Sequence, residues 1–339
     1  MPQPTFKDFI QVANAQGITF PASVNRLAMD ADPQPSLPAN GGIPAIVSTF
    51  IDPTIVETLF TPNRAVAILG REEKRGAWAQ DSFMIQRIEE TGDTVAYDDY
   101  SEQGAVQVTP SWEHRDVYRY QTVVQYGELE RERYGLAMLP YAAKKQRAAV
   151  NVLDQDQNKF YFYGVAGLRN YGMLNDPSLP APITPLTVGS SVLWKDKQVV
   201  DKYNDILALY EDLVARSNGI VGDGVDMSSK LVLAMSNKLS VNLKSANEIF
   251  ATSLEDMLKK AFPNMRFETA PQYSTAAGEL IQMFVEEAQG QEVGFMAYSE
   301  KLRAHPLVTE LSHYKQKYSG TTYGAVITQP FLFAQMLGA

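Results

Sequence analysis

The sequence predicts an α+β chain in which an extended β-hairpin and a long helix precede a compact α/β segment. Three observations carry this. Residues 118–126 alternate, with Tyr118, Tyr120, Thr122, Val124 and Tyr126 on one face and Arg119, Gln121, Val123 and Gln125 on the other. Residues 140–163 run amphipathically between Pro140 and Gly164. Beyond residue 195, helical and strand patterns take turns.

Taken in order, residues 1–46 read as an arm. Seven of the 19 prolines lie there, and proline fixes φ and removes a donor, so the stretch runs extended. It holds one short helix candidate, capped by Thr5, striped by Phe6, Phe9, Ile10 and Ala13, and ended by Gly17. A lone helix this short is marginal in water, so the stripe needs a partner. Residues 47–70 begin the folded body.

Residues 71–126 read as a long hairpin. Phe83, Ile85 and Arg87 alternate with Met84, Gln86 and Ile88, and Tyr118–Tyr126 is the expected return strand. Between the arms lies a polar tip with Glu89, Glu90, Asp93, Asp98, Asp99 and Glu102. No hairpin needs so long an acidic tip for its own stability, and a two-stranded arm is weak alone. Both facts point to a projection that packs on another chain.

Residues 128–163 are helical. A short first helix carries Arg131 and Arg133 among Glu128, Glu130 and Glu132. Pro140 then opens a longer one with Ala142, Ala143, Ala149, Val150, Leu153, Phe160 and Tyr161 as its stripe and Gly164 as its stop. At 1.5 Å per residue it spans about 36 Å. Residues 164–195 are a glycine- and proline-rich crossover. The α/β pattern that follows places helices at Val199–Arg216 and Ser253–Lys260, the latter capped by Thr252. Strands are expected at Lys230–Met235, Arg266–Thr269, Ile281–Val285 and Val293–Ala297. The segment His313–Ile327 has strand character around a Ser319-Gly320 turn.

Composition narrows the function. The chain has 339 residues, enough for about two domains. It has no cysteine, which removes disulfides, thiolate metal sites and cysteine nucleophiles. The net charge of −9 disfavours phosphate gripping over the whole surface. The charge is uneven: residues 61–130 carry −6, whereas 131–175 carry +4 and are the one net-basic stretch. No apolar run approaches the ~20 residues of a membrane span, and no secretory signal opens the chain.

No constellation spells catalysis. His114-Arg115-Asp116 matches a kinase catalytic-loop tripeptide, but it lies in an expected strand with no phosphate loop and no Asp-Phe-Gly. Gly219, Gly222 and Gly224 lack phosphate-loop spacing, and His305 and His313 lack a third ligand. The acids at 89–90 and 98–99 lie in a polar hairpin tip with no apolar pocket, which gives no reason to read them as a catalytic pair. Trp78, Trp112, Trp194 and the tyrosine stripe lack the interleaved basic residues of a base-stacking platform. No cofactor and no metal is expected.

What remains is the order of parts: arm, long acidic hairpin, long helix, α/β domain. That order resembles the major capsid proteins of tailed bacteriophages, with the Hong Kong 97-type fold. Two segments add to the resemblance. Gly164–Pro177, which reads GVAGLRNYGMLNDP, is similar to the turn after the spine helix in such coat proteins, and Tyr314–Ile327 (YKQKYSGTTYGAVI) is similar to their closing β segment.

The resemblance implies an N-arm at 1–46, the start of a peripheral domain at 47–70, an E-loop hairpin at 71–126, and the peripheral domain with its spine helix at 127–175. An axial α/β domain would follow at 176–300, with a return to the peripheral domain at 301–339. It implies self-assembly into pentamers and hexamers of an icosahedral head around double-stranded DNA, contacted non-specifically. Scaffolding, portal and decoration proteins are implied as partners, the virion as the location, and no membrane. An arm this short implies no fused scaffolding domain. Residues 76–116 contain no lysine, so no covalent link is expected at that loop, and boiled shells should give one band near 37.6 kDa. The assembly contacts expected are Glu89, Glu90, Asp98 and Asp99 on basic groups of a neighbour, with Trp112 and the Tyr118 face packed under the hairpin. An encapsulin-like compartment, another virion protein and an enzyme with a dispersed site stay open as alternatives.

Overall fold

The computed structural model describes residues 61–100, 104–136, 140–189, 191–221, 230–245 and 252–338. The chain divides into two units, Met1–Phe60 and Thr61–Ala339, and the description concerns the second. The arm with its short helix, residues 47–60, Glu102, Gly222 and Gly224 lie outside the described residues.

The described chain opens with α1 (Ala65–Leu69) and β1 (Glu72–Lys74), followed by β2 (Ser82–Gly92), β3 (Val106–Asp116) and β4 (Tyr118–Gly127). Helices α2 (Glu128–Leu136) and α3 (Tyr141–Tyr163) come next. Pro140 stands at the N-cap of α3 and Gly164 at its C-cap, with φ 61°. The α/β segment contains α4 (Val199–Ser217), β5 (Leu231–Met235), α5 (Asn237–Ser240), α6 (Leu254–Ala261), β6 (Arg266–Thr269), β7 (Ser274–Thr275) and β8 (Gly278–Val285). After these come β9 (Glu287–Ala288), β10 (Gln291–Glu292), β11 (Gly294–Tyr298), β12 (Arg303–Ala304), β13 (Val308–Thr309), β14 (His313–Thr322), β15 (Gly324–Ile327) and β16 (Phe333–Leu337).

The hairpin pairs differently from expectation. β2 pairs with β3 over eleven residues, from Ser82↔Asp116 to Gly92↔Val106. The expected return strand, β4, pairs instead with β14 over ten residues, from Tyr118↔Thr322 to Gly127↔His313. Alternation establishes that a strand exists but not which strand it meets. Pro110 masks β3 in the sequence. It is tolerated because a strand of a two-stranded ladder has one free edge.

On the inner face of β4, Tyr120, Val124 and Tyr126 pack with Tyr318 against Ala149 and Leu153 of α3. Gly320 is not a turn residue, because β14 runs straight through it. It is glycine because the Tyr120 ring crosses there: a Cβ would lie 2.8 Å from Tyr120 Cζ.

The main core lies in the five-stranded sheet, order β16-β8-β5-β6 with β7 on β8. Every residue of Leu231–Met235 is buried, as a central strand covered on both faces requires. α4 presents Ile206, Leu209, Tyr210 and Leu213 to this core, and α6 presents Leu254 and Leu258. Ser253, not Thr252, caps α6. Its hydroxyl accepts from the Asp256 N–H at 3.2 Å, and the Asp256 carboxylate accepts from the Ser253 N–H. Asp205 of α4 gathers the crossover. It accepts from Lys197 Nζ at 2.5 Å, Trp194 Nε1 at 2.8 Å and the Leu186 N–H at 2.8 Å. The chain end also departs from expectation: β16 pairs with β8 in the five-stranded sheet, apart from β14.

Candidate assembly surfaces

Cross-strand partners share a face, so the β2–β3 register sorts the hairpin into two sides. One carries Phe83, Ile85, Arg87, Glu89 and Thr91 with Arg115, Glu113, Ser111, Thr109 and Gln107. The other carries Met84, Gln86, Ile88 and Glu90 with His114, Trp112, Pro110, Val108 and Val106. The first side meets the body at its base, where Phe83 and Ile85 pack on Phe295, Tyr323 and Val326. Phe83 meets Tyr323 edge-on at 4.7 Å between centroids. The second side stays in the open: Met84, Ile88, Val106, Val108 and Trp112 are each more than half exposed. Every described residue from Ile88 to Trp112 is exposed. Five large apolar side chains on one face of a two-stranded ribbon are a surface made to be covered.

The tip is acidic and aromatic. Tyr97 and Tyr100 are almost fully exposed, and Tyr97 donates its hydroxyl to Asp99 at 2.6 Å. That bond holds the Tyr97 hydroxyl above its ordinary pKa. Asp98 accepts from the Tyr100 N–H. Among the described residues no group of three or more His, Asp or Glu could hold a metal ion, and no helix is long and apolar enough to cross a membrane.

The sequence-chosen residues therefore scatter. Glu89 and Glu90 sit on opposite faces of β2, Asp98 and Asp99 lie in the tip, and Trp112 stands exposed on β3. Tyr118 lies on β4, its ring 5.1 Å from Phe160 of α3. Packing of Trp112 and Tyr118 together under the hairpin is thus corrected: Trp112 is part of the hairpin itself and faces away from the body.

The base of the hairpin holds residues that sequence reasoning passed over. Arg115 is 1% exposed. Its Nη2 donates to Asp176 at 2.7 Å and meets Glu113 at 2.7 Å, while Glu113 also meets Arg87 at 2.7 Å. Arg87 donates on to the Ile327 carbonyl. The Arg115 guanidinium lies 4.8 Å over the Tyr171 ring. Beside it, Asp116 accepts from the backbone N–H of Arg169 at 3.0 Å. That bond, more than any other contact, holds the Asp116 carboxyl below its usual range. The kinase-like tripeptide is thus an anchor of the hairpin. The signal in the sequence is the Arg115-Asp116 pair in a strand and the Asn175-Asp176-Pro177 turn.

A family model described as the Pa193 gp26 major capsid protein matches residues 34–338. The chain belongs to this family of phage major capsid proteins. Solved structures agree on the fold. The capsid of Myoviridae phage XM1 superposes with a TM-score of 0.73 at 12% identity, covering 89% of this chain and 100% of that one. Gordonia phage Cozz gives 0.56 at 10% identity, covering 92% and 99%. The capsid of the native GTA particle gives 0.55 at 11%, covering 85% and 95%. No curated protein matches the sequence. The fold is the α+β Hong Kong 97 type, and the chain is a structural component of a phage head, located in the virion. The compartment alternative has less support than the phage head.

Proposed function

We propose that this major capsid protein assembles into pentamers and hexamers through its hairpin, and that these close into an icosahedral head around double-stranded DNA. The observation that carries the hairpin's role is the uncovered face of Met84, Ile88, Val106, Val108 and Trp112. Within one chain nothing described covers it, and burial in a neighbour removes that apolar area from water. Glu89, Glu90, Asp98 and Asp99 supply charge around the apolar stripe. The net-basic segment 131–175 of a second copy is the complementary surface.

The assignment of parts follows. Strands β2 and β3 form the projecting hairpin. Residues 127–175 with 301–328 form the peripheral part, and residues 176–300 with β16 form the axial part. Exposed Arg147 and Lys159 of α3 suit non-specific contact with packaged DNA. Scaffolding, portal and decoration proteins join the head during its assembly in the host cytoplasm. The chain has no catalytic role.

Electron microscopy of the purified protein tests this reading. Closed uniform shells, or capsomer-sized rings, support it. A strict monomer at every salt and protein concentration overturns it. Charge reversal of Glu89, Glu90, Asp98 and Asp99 tests the electrostatic part: shells that form unchanged would remove those acids from the contact.

A further inference from the structure

The hairpin is a lever with a very small foot. Phe83 and Ile85 give it an apolar seat, but from Ile88 outward every described residue is exposed, and no described residue of the body covers its exposed face. Its direction therefore depends on the contacts at the base. Those contacts converge on Gly164–Pro177, the crossover that leaves the long helix.

That crossover touches α3, β3, β14 and β15. The N–H groups of Met173 and Leu174 donate to the carbonyls of Tyr161 and Phe162 at the end of α3. A Cβ on Gly172 would stand 2.2 Å from the Phe162 oxygen, so the approach is as close as backbone allows. The Ala325 N–H donates to the Tyr171 carbonyl, and Asn170 Nδ2 donates to the carbonyls of Thr322 and Asp116. Asp176 and Arg169 reach the hairpin through Arg115 and Asp116. Asp176 is itself fixed, its second oxygen accepting from the Ser178 N–H and hydroxyl.

We propose that Arg115, seated on Asp176, is the positioning residue that sets the angle at which the hairpin leaves the body, and that this angle sets the curvature of the assembled shell. The alternating row Arg87, Glu113, Arg115 and Asp176 runs from the hairpin into the crossover. A charged row specifies one geometry because each buried charge keeps its carboxylate only there. Apolar contacts alone would let Phe83 and Ile85 rock on the sheet beneath them. The second half of the proposal rests on the assembly reading given above, whereas the first does not.

The absence of cysteine allows a clean test. Gln107→Cys near the hairpin tip and Ala148→Cys on the exposed side of α3 accept spin labels, and pulsed electron resonance reads the distance between them. R115Q/D176N removes both charges together, so no lone buried charge remains. The expected result is a broadened distance distribution with unchanged far-ultraviolet circular dichroism. In electron micrographs, shells of mixed diameter should replace a uniform population. If R115Q/D176N does not fold, Glu113→Gln, which cuts the same row at a half-buried position, is read by the same two measurements. An unchanged distance distribution overturns the positioning role. A broadened distribution with shells of uniform parental diameter overturns the link to curvature. Should the parental protein form no shells, the assembly reading fails, and the distance measurement still decides the hinge.

Discussion

Arg115 and Asp176 are 61 residues apart and meet at 2.7 Å with both side chains 1% exposed. Each removes the other's charge from an interior that neither could enter alone. Asp176→Asn leaves the guanidinium with Glu113 as its one carboxylate partner. The expected cost is about 3–5 kcal/mol, the range for breaking one side of a buried pair. The midpoint of urea unfolding of the unassembled subunit measures it. A loss within experimental error would mean that water reaches Arg115.

Trp112 separates assembly from stability. It is 56% exposed in the subunit, so Trp112→Ala should change the unfolding free energy by no more than about 0.5 kcal/mol. Large aromatic side chains at the centre of an interface are worth about 2 kcal/mol or more. The threshold concentration for assembly should then rise about tenfold for each 1.4 kcal/mol lost. Light scattering against protein concentration gives that threshold.

Gly324 is held at φ 78°, and a Cβ there would lie 2.1 Å from the Tyr171 carbonyl oxygen. Gly324→Ala therefore meets both a left-handed backbone and a backbone atom that cannot step aside. A loss of about 2 kcal/mol or more is expected. Thermal unfolding checks it. Gly167→Ala is the control: its φ is also positive, but nothing lies within 4 Å.

Asp116 links the hairpin base to pH. The Arg169 N–H, then its side chain, lower the folded carboxyl pKa below the unfolded value. The stabilisation is therefore complete above the unfolded pKa of about 3.9 and is lost as pH falls through the folded value. Exchange of the Arg169 amide, followed from pH 5 downward and corrected for intrinsic rates, should accelerate in that window. In Asp116→Asn the acceleration should disappear.

Much of this architecture is legible in the sequence because local chemistry writes it. Pro140 and Gly164 bracket α3, the apolar period of 199–216 gives α4, and Leu231–Met235 reads as a buried strand. What the sequence hides is pairing at a distance. Tyr118–Tyr126 alternates well, yet nothing local says that its partner lies near residue 318 and not near residue 85. Gly320 invites a turn by composition, while its purpose is to admit the Tyr120 ring. Four of the six candidate contacts, Glu89, Glu90, Asp98 and Asp99, rest on charge, because acids are conspicuous in a loop. The stripe Met84, Ile88, Val106, Val108 and Trp112 becomes visible once the β2–β3 register is known, since two of its residues come from β2 and three from β3.

The pairing of β4 with β14 also bears on the birth of the molecule. Tyr118–Gly127 leaves the ribosome long before His313–Thr322 exists, and β8 likewise waits for Phe333–Leu337. Two sheets stay open until these distant strands have been synthesised. Chains cut short by stalled translation would lack the strands that close them. An assembly line that accepts only closed subunits would thereby reject chains that lack these strands, with no separate inspector.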